Sequence, residues 1–329
     1  MASTTLANVD LQSEVFKDLV SAYFTHRLAF LNSLLVEAPD ALIPPDSKGY
    51  TIAIPNVDSL TGDADQITSS LTTTVNAAGT WKDIGAWVER EKAWGADQII
   101  KTIAGYDMVD EVAKQLGEYW ANQLHGSAIN LLTGVFGSAL TSTHVKDDSG
   151  NTINDNGVAD TKQLLGDNAD ELTSIVLNSK VYTDAVKAGI VYQDGSIGGV
   201  RESGQVGKIL GLNPFITDKL TVSSGVYSSY LGKAGSLIYK FRKRQRQNLT
   251  AAEVYDLGFI EVEKYRVSTT GGGQDVLISR ASYLVHCPGV QFDGTVTSNP
   301  TDAELATSTT WTKVADDDKK IKILQYKSN

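Results

Sequence analysis

The sequence predicts an α+β chain: one very long helix, a pair of long antiparallel strands, and an inserted unit in which short strands and helices alternate. Three observations predict it. From Asp107 to Leu140, apolar residues such as Val109, Val112, Leu116, Trp120, Leu124 and Leu132 recur every three or four positions, the spacing of one helix face. Phe259–Val267 and Val276–Val285 alternate on either side of Gly271-Gly-Gly273, the pattern of two strands and their turn. Between 161 and 258, β-rich runs alternate with a capped helical run and glycine turns.

Composition narrows the class. The 329 residues are 41% hydrophobic and 21% charged, which fits a globular chain rather than a disordered one. A chain of this length buries most of its unfolded surface without staples. Cys287 is the single cysteine, so an intrachain disulfide and a Cys-based zinc cluster are excluded. Asp and Glu number 39 against 29 Lys and Arg, a net charge of −10. Such a chain is a poor general binder of nucleic acid, because phosphate repels the average surface. The first basic residue is Lys17 and no apolar run leads to a small-residue cleavage site, so no secretory signal is expected. No stretch approaches the ~18 apolar residues that span a bilayer. The expectation is a soluble protein needing no oxidising compartment.

The elements follow in order. Leu11, Val15, Leu19, Ala22 and Tyr23, continued by Leu28, Leu31, Leu34 and Leu35, predict a helix stopped by Pro39, Pro44 and Pro45, since proline cannot continue a helix. Residues 1–45 thus form an N-terminal arm. Residues 46–81 read as an extended hairpin: Tyr50–Ile54 and Leu71–Val75 are β-rich, and Asp58–Asp65 between them is polar. Two strands with so little apolar content cannot bury a face of their own, so the hairpin must lie on something else. Over 82–104 Ile84, Trp87, Val88 and Trp94 share a helical spacing, and with Trp81 they suggest a large packing contact. The 107–140 helix would span about 50 Å at 1.5 Å per residue, far beyond a usual helix. Gly117, Gly126, Gly134 and Gly137 interrupt it, which suits a bend or a close crossing.

Residues 146–160 are polar and read as a boundary loop. Beyond it Ser174–Leu177 is a strand. Asn178 or Ser179 caps a helix through Val181, Ala185 and Val186, closed by Gly189, as cap chemistry favours. Val206–Ile216 reads as strand, turn and strand, and Ser236–Phe241 as another strand. The domains expected are the arm 1–45, the hairpin 46–81, a body from 82–160 and 259–329 around the helix 107–140, and the insert 161–258.

The chain offers little for chemistry. None of His26, His125, His144 and His286 sits in a metal spacing. His286 and Cys287 are adjacent in a strand, so they point to opposite faces and cannot share a proton. Gly204–Lys208 hints at a phosphate loop, but Ile209 stands where a P-loop needs Ser or Thr. The Asp- and Asn-rich segment 147–157 fails the EF-hand pattern: with Gly150 or Gly157 as sixth position, Val145 or Thr152 comes first. One cluster remains, Lys240-Phe-Arg-Lys-Arg-Gln-Arg246, with five cations in seven residues. Three readings stand for it: a subunit interface through Arg242, Lys243, Arg244 and Arg246, a solvated edge, or a nucleic-acid contact. In the first, the cations project from the edge of the insert toward carboxylates such as Glu202, Asp218, Glu253 and Asp256 on a neighbouring copy.

The order of arm, hairpin, long helix, insert and returning strand pair resembles the major capsid proteins of tailed bacteriophages, with the Hong Kong 97-type shell fold. Ser174–Tyr182 is similar to the strand-then-helix opening of that family's axial domain. Lys208–Leu220 is similar to its glycine turn and return strand, and Tyr283–Val290 to its closing strand and turn. The resemblance implies a non-enzymatic shell subunit with no cofactor and no metal. The 107–140 helix would be the spine of a peripheral domain, with 161–258 as the axial domain and the hairpin lying over an adjacent subunit. It implies self-assembly into pentamers and hexamers of an icosahedral head, with a portal, around double-stranded DNA bound without sequence specificity. It implies no membrane, and residence in the virion after assembly in the host cytoplasm. Some members carry a cleaved N-terminal scaffolding region; here the arm begins within the first forty residues, so a separate scaffolding protein is implied. Crosslinking through a hairpin lysine is not carried over, because Lys48 lies near the base and no lysine lies near the tip. The alternatives are an encapsulin-like compartment shell, which shares the fold, and a hydrolase with a cryptic site.

Overall fold

A computed structural model describes residues 14–28, 33–58, 79–95, 108–192, 207–242, 253–267, 274–293 and 299–329. The first half runs α1 (Glu14–Leu28), β1 (Leu35–Glu37), β2 (Thr51–Val57), β3 (Thr80–Gly95), α2 (Met108–Gly137), β4 (Val145–Asp147), α3 (Asp155–Gln163), β5 (Ser174–Leu177) and α4 (Ser179–Lys187). The short strands β6 (Val191–Tyr192), β7 (Lys208–Ile209), β8 (Asn213–Ile216) and β9 (Val222–Ser223) follow. The rest comprises β10 (Val226–Gly232), β11 (Leu237–Phe241), β12 (Glu253–Asp256), β13 (Glu261–Val267), β14 (Gln274–His286), β15 (Val290–Phe292), α5 (Asp302–Ala306), β16 (Trp311–Lys313) and β17 (Ile323–Ser328).

Two large sheets organise these elements, beside two-stranded ladders of β15 with β16 and of β6 with β7. The larger has seven strands: β1-β11-β14-β13-β12, with β3 on β14 and β2 on β3. The hairpin expected around Gly271–Gly273 is its centre, β13 meeting β14 from Val267 opposite Gln274 to Glu261 opposite Arg280; the glycine turn itself lies outside the described residues. The smaller sheet has six strands, β4-β17-β10-β5-β8 with β9 on β10. Its β5 is buried at every position. There α4 starts as expected: the Asn178 side chain accepts from the Lys180 N–H at 2.9 Å. Past its end Gly189 takes a φ of +74°, a backbone state that costs glycine little. The 206–216 stretch also turns as expected, from β7 through Gly211 into β8.

Sheet membership cuts across the chain division at 161–258. Strands β11 and β12 leave the insert and join the larger sheet through β14 and β13. In exchange β4 and β17, from the flanking segments, complete the smaller sheet. The chain therefore passes between the sheets several times, and neither sheet is a continuous stretch of sequence.

The long helix is α2, 30 residues, about 45 Å at 1.5 Å per residue. It lies along the larger sheet. Val112, Leu116, Trp120, Leu124, Leu131 and Val135 are buried in the main core. Two polar contacts fix its register on β14: Trp120 Nε1–H donates to Ser279 Oγ at 2.7 Å, and the Ser127 and Tyr283 hydroxyls lie 2.9 Å apart. Its glycines are largely explained by close crossings. A Cβ on Gly117 would stand 2.8 Å from the Val20 carbonyl oxygen and 2.9 Å from the Phe24 nitrogen. One on Gly134 would collide with the Leu305 carbonyl and the Trp311 ring. Gly126 has open space instead, and nothing in the fold explains it.

Four expectations need correction. First, α1 buries Phe16, Val20 and Phe24, not the row through Val15, which is 64% exposed. The i, i+4, i+8 row of Phe16 faces the Gly117 crossing, and that contact sets the rotation. Second, the helix does not reach Leu35. Leu35–Glu37 pairs in parallel with β11, Leu35 opposite Leu237. Third, β3 replaces the helix expected over the start of 82–104. Its first half pairs with β2 and its second with β14, and these ladders override a spacing that also suited a helix. Residues 96–104 lie outside the described residues. Fourth, the boundary loop 146–160 contains the end of β4 and much of α3, started by Asn154, whose side chain accepts from Gly157 N–H at 2.7 Å. The expected strand Leu71–Val75 and the hairpin tip lie outside the described residues.

Candidate functional site

The root of the 46–81 hairpin is β2 against β3, from Thr51 opposite Ala86 to Val57 opposite Thr80. Trp87 N–H donates to the Tyr50 carbonyl at 2.8 Å, and Asp58 N–H to the Gly79 carbonyl at 3.0 Å. Antiparallel pairs alternate, so positions 50, 52, 54, 56 and 58 direct their backbone bonds into β3. Positions 51, 53, 55 and 57 direct theirs outward along an edge that has no strand partner among the described residues. Pro55 is one of these, and its missing N–H breaks the row of donors that another strand could use. Of the seven residues of β2 only Ile54 is buried. Tyr50 and Val57 are 47% and 65% exposed. Beneath the root lies a small core of its own, Ala38, Ile43, Ile54, Trp87 and Leu284.

Arg242 closes this root. It follows β11, and its side chain is only 7% exposed. Nε–H donates to Ser282 Oγ at 2.8 Å. Nη1 donates to the carbonyls of Ser47 at 3.3 Å and Gly49 at 2.5 Å, and Nη2 to Glu89 Oε1 at 2.9 Å. The guanidinium also lies over the Trp87 ring, 4.6 Å from its centroid, a desolvated cation–π contact. Lys240, two residues earlier, bonds Glu37 at 2.8 Å and Asp40 at 2.5 Å. Burial alone would lower its pKa, but those carboxylates outweigh burial and raise it.

The expectation that Arg242 projects from the edge is therefore corrected. A buried guanidinium needs its donors satisfied, and partners from its own chain satisfy them. Lys243, Arg244 and Arg246 lie outside the described residues, as does Glu202. Asp218 is engaged within its own chain: it accepts from Ser179 N–H at 3.1 Å and from the Ser179 hydroxyl, which together hold its carboxyl below the ordinary range. Glu253 and Asp256 fall on β12. The partner that Arg242 finds, Glu89, was not visible in the sequence, where 82–104 read as a helix. The signal present was the bare one of a cation ending a β-rich run and a carboxylate beside Trp87.

Three other buried titratable sites, at Asp83 with His286, at Cys287 and at His144, have contacts that tie the fold together or sit in its core. Asp83 and His286 are both buried. Asp83 Oδ2 accepts from Gly289 N–H at 2.9 Å and lies 3.4 Å from His286 Nε2, which ties β3 to the turn after β14. Cys287 is fully buried in the main core, and burial pushes its thiol up to about 12, far from a reactive thiolate. Burial also lowers His144, which contacts Thr143 Oγ1 at 2.7 Å and the Asp318 carbonyl at 3.0 Å. Among the described residues no group of His, Cys, Asp and Glu could hold a metal, and no helix is long and apolar enough to cross a membrane.

The hairpin root thus stands at the edge of the seven-stranded sheet, beside the long helix that lies along that sheet. The model of the Gp13-like family, described as major capsid protein 13-like, matches residues 104–322. The chain belongs to this family of major capsid proteins. The capsid subunit is 27% identical over 337 residues to the major capsid protein of Bacillus phage SPP1, covering 99% of this chain and 98% of the other. Its fold is similar to that of the capsid of Ralstonia phage GP4, with a TM-score of 0.56 at 7% identity over 99% of this chain and 93% of that one. The capsid of a native GTA particle scores 0.53 at 12% identity, over 100% and 94%. At such identities these structures speak for the fold alone, and it is the Hong Kong 97-type fold expected from the sequence. The capsid subunit builds the icosahedral head shell of a tailed phage. The family is a structural one, and neither the encapsulin-like reading nor the hydrolase reading is favoured.

Proposed function

We propose that the subunit assembles as pentamers and hexamers in which the 46–81 hairpin lies over the adjacent copy. In this reading α2 and the seven-stranded sheet form the peripheral body. The six-stranded sheet with α3 and α4 forms the axial unit around the capsomer centre. A separate scaffolding protein and a portal direct closure in the host cytoplasm, the finished shell encloses double-stranded DNA, and the subunit turns over no substrate. The observation that carries this is β2: a seven-residue strand with one buried residue, an edge that has no strand partner among the described residues, and exposed Val57 at its end, with exposed Tyr50 just before its start. Such a strand contributes little to its own subunit, so its selective value lies in what it touches outside. Head-to-tail contacts repeated around a ring close into shells. The net charge of −10 suits a container that must not bind its DNA tightly to the wall.

Removing residues 59–66 tests it. The truncated chain is expected to melt within a few degrees of the full chain, because Leu60 and Ala64 are the only apolar side chains in the removed segment. Its yield of closed particles by electron microscopy is expected to collapse. Equal loss of melting temperature and particle yield would place the hairpin in the subunit's core and overturn the reading.

A further inference from the structure

Arg242 stands apart from the other cations of the 240–246 run because it joins four separate stretches of chain. These are its own strand end at β11, Ser282 on β14, the carbonyls of Ser47 and Gly49 just before β2, and Trp87 with Glu89 on β3. Residues 47–50 have no strand partner until Tyr50 accepts from Trp87, and Gly49 sits at a φ of +91°. Without the guanidinium, nothing described holds both carbonyls of this bend. The bend sets the direction in which β2 leaves the body. From Thr51 to Val57 the strand is about 20 Å long at ~3.4 Å per residue, so a ~10° tilt at the root moves its far end by about 3–4 Å. That is the size of error that separates a fitted contact from a clash.

We propose that Arg242 is a positioning residue for shell assembly: it clamps the bend at 47–49 and so fixes the angle of the hairpin. The proposal rests on the reading that the hairpin lies over a neighbouring copy. The role suits arginine and not lysine. Only the planar fork reaches two carbonyls, a hydroxyl and a carboxylate while stacking on an indole, whereas an ammonium offers a compact point charge.

The test compares the full-length unassembled subunit with Arg242→Lys and with the 59–66 deletion. Three readouts are used: global melting, amide exchange at Ile52, Ile54 and Asn56, and yield and diameter of closed particles. Arg242→Lys is expected to melt within a few degrees of the parent. Exchange at those three amides should rise at least tenfold, with no matching rise in α2, and closed-particle yield should fall about tenfold or diameters scatter. Unchanged exchange in β2 overturns the clamp. Loosened β2 with normal particles, while the tip deletion still cripples assembly, overturns the positioning role. Normal particles from the tip deletion would instead sink the hairpin reading and leave the clamp to be judged by exchange alone. If Arg242→Lys fails to fold, Glu89→Ala gives the same readout, because it removes the acceptor of the Arg242 Nη2 bond and so unties the guanidinium from β3; a local rise in β2 exchange supports the clamp, and none overturns it. Combining Arg242→Glu with Glu89→Arg restores a charge pair but not the carbonyl bonds, so it is expected to restore neither β2 protection nor particle yield.

Discussion

Single residues in this subunit stitch distant stretches of chain together, and Glu171 is a second case beside Arg242. It ends the 3-10 turn Gly166–Glu171 and pairs with Lys233 after β10 and with Lys322 before β17, the latter at 2.9 Å. The bonds from Lys233 and then Lys322 hold its carboxyl down at about 2, against an ordinary 4.5. A carboxyl lowered in the folded state adds stability above its unfolded value, and that contribution is lost as pH falls through the folded value. Glu171→Gln is therefore expected to lower the melting temperature by a constant amount above pH 4.5. The deficit should shrink from there and vanish near pH 2. The side chain is 39% exposed, so the effect is modest. Thermal melts of both proteins across this range check it, and a deficit independent of pH would rule out the ion pairs as its source. None of this pairing was legible in the sequence, because Glu171, Lys233 and Lys322 carry no pattern that relates them. The local cap at Asn178 was legible, because a cap is a contact between neighbours in the chain.

Elements were legible where one pattern admitted one structure. The stripe of α2 persists for 30 residues, longer than any strand, so its period could not be mistaken. The β13–β14 pair alternates around three glycines and has no helical reading. Over 82–94 the spacing of Ile84, Trp87, Val88 and Trp94 suited a helix, while the residues that make it a strand are Ile52, Ile54 and the Val276–Leu284 run, all remote in sequence. The same holds for β11, whose placement in the larger sheet is decided by β14. Glycines in α2 show the other side: Gly117 signalled a crossing without saying what crosses. Gly117→Ala tests that crossing. Alanine gains up to ~1 kcal/mol in helix propensity. Its Cβ would press on the backbone of α1 at 2.8 and 2.9 Å, and overpacking of this kind costs about 1–3 kcal/mol. Backbone cannot swing aside as a side-chain tip can, so the clash should win and the melting temperature fall. A higher melting temperature would show that α1 rides loosely on α2.

At the scale of the whole molecule the question is how an acidic subunit meets copies of itself. The formal charge is −10, so neighbouring copies repel on average and must place opposite charges at their contacts. Lys240 and Arg242 are consumed within the chain. On the interface reading of the basic run, the cations left to test against a neighbour are Lys243, Arg244 and Arg246. Reversing Arg242 as well would confound any test, since a carboxylate in that buried site would face Glu89 and loosen the hairpin root. The informative variant reverses Lys243, Arg244 and Arg246 to Glu and leaves Arg242 in place. Exposed pairs contribute only about 0–1 kcal/mol each, so single reversals should change little. The triple reversal adds like charge at every copy of a ring and should block capsomer formation. Raised salt should partly restore it, because screening at ~1 M acts within about 3 Å. DNA binding by the unassembled subunit should be weak before and after the change. Light scattering of assembly against salt, with DNA affinity measured on the same samples, separates the readings. If the triple variant assembles normally but shows a steep, salt-dependent loss of DNA affinity, the run contacts nucleic acid inside the shell and holds no subunit contact.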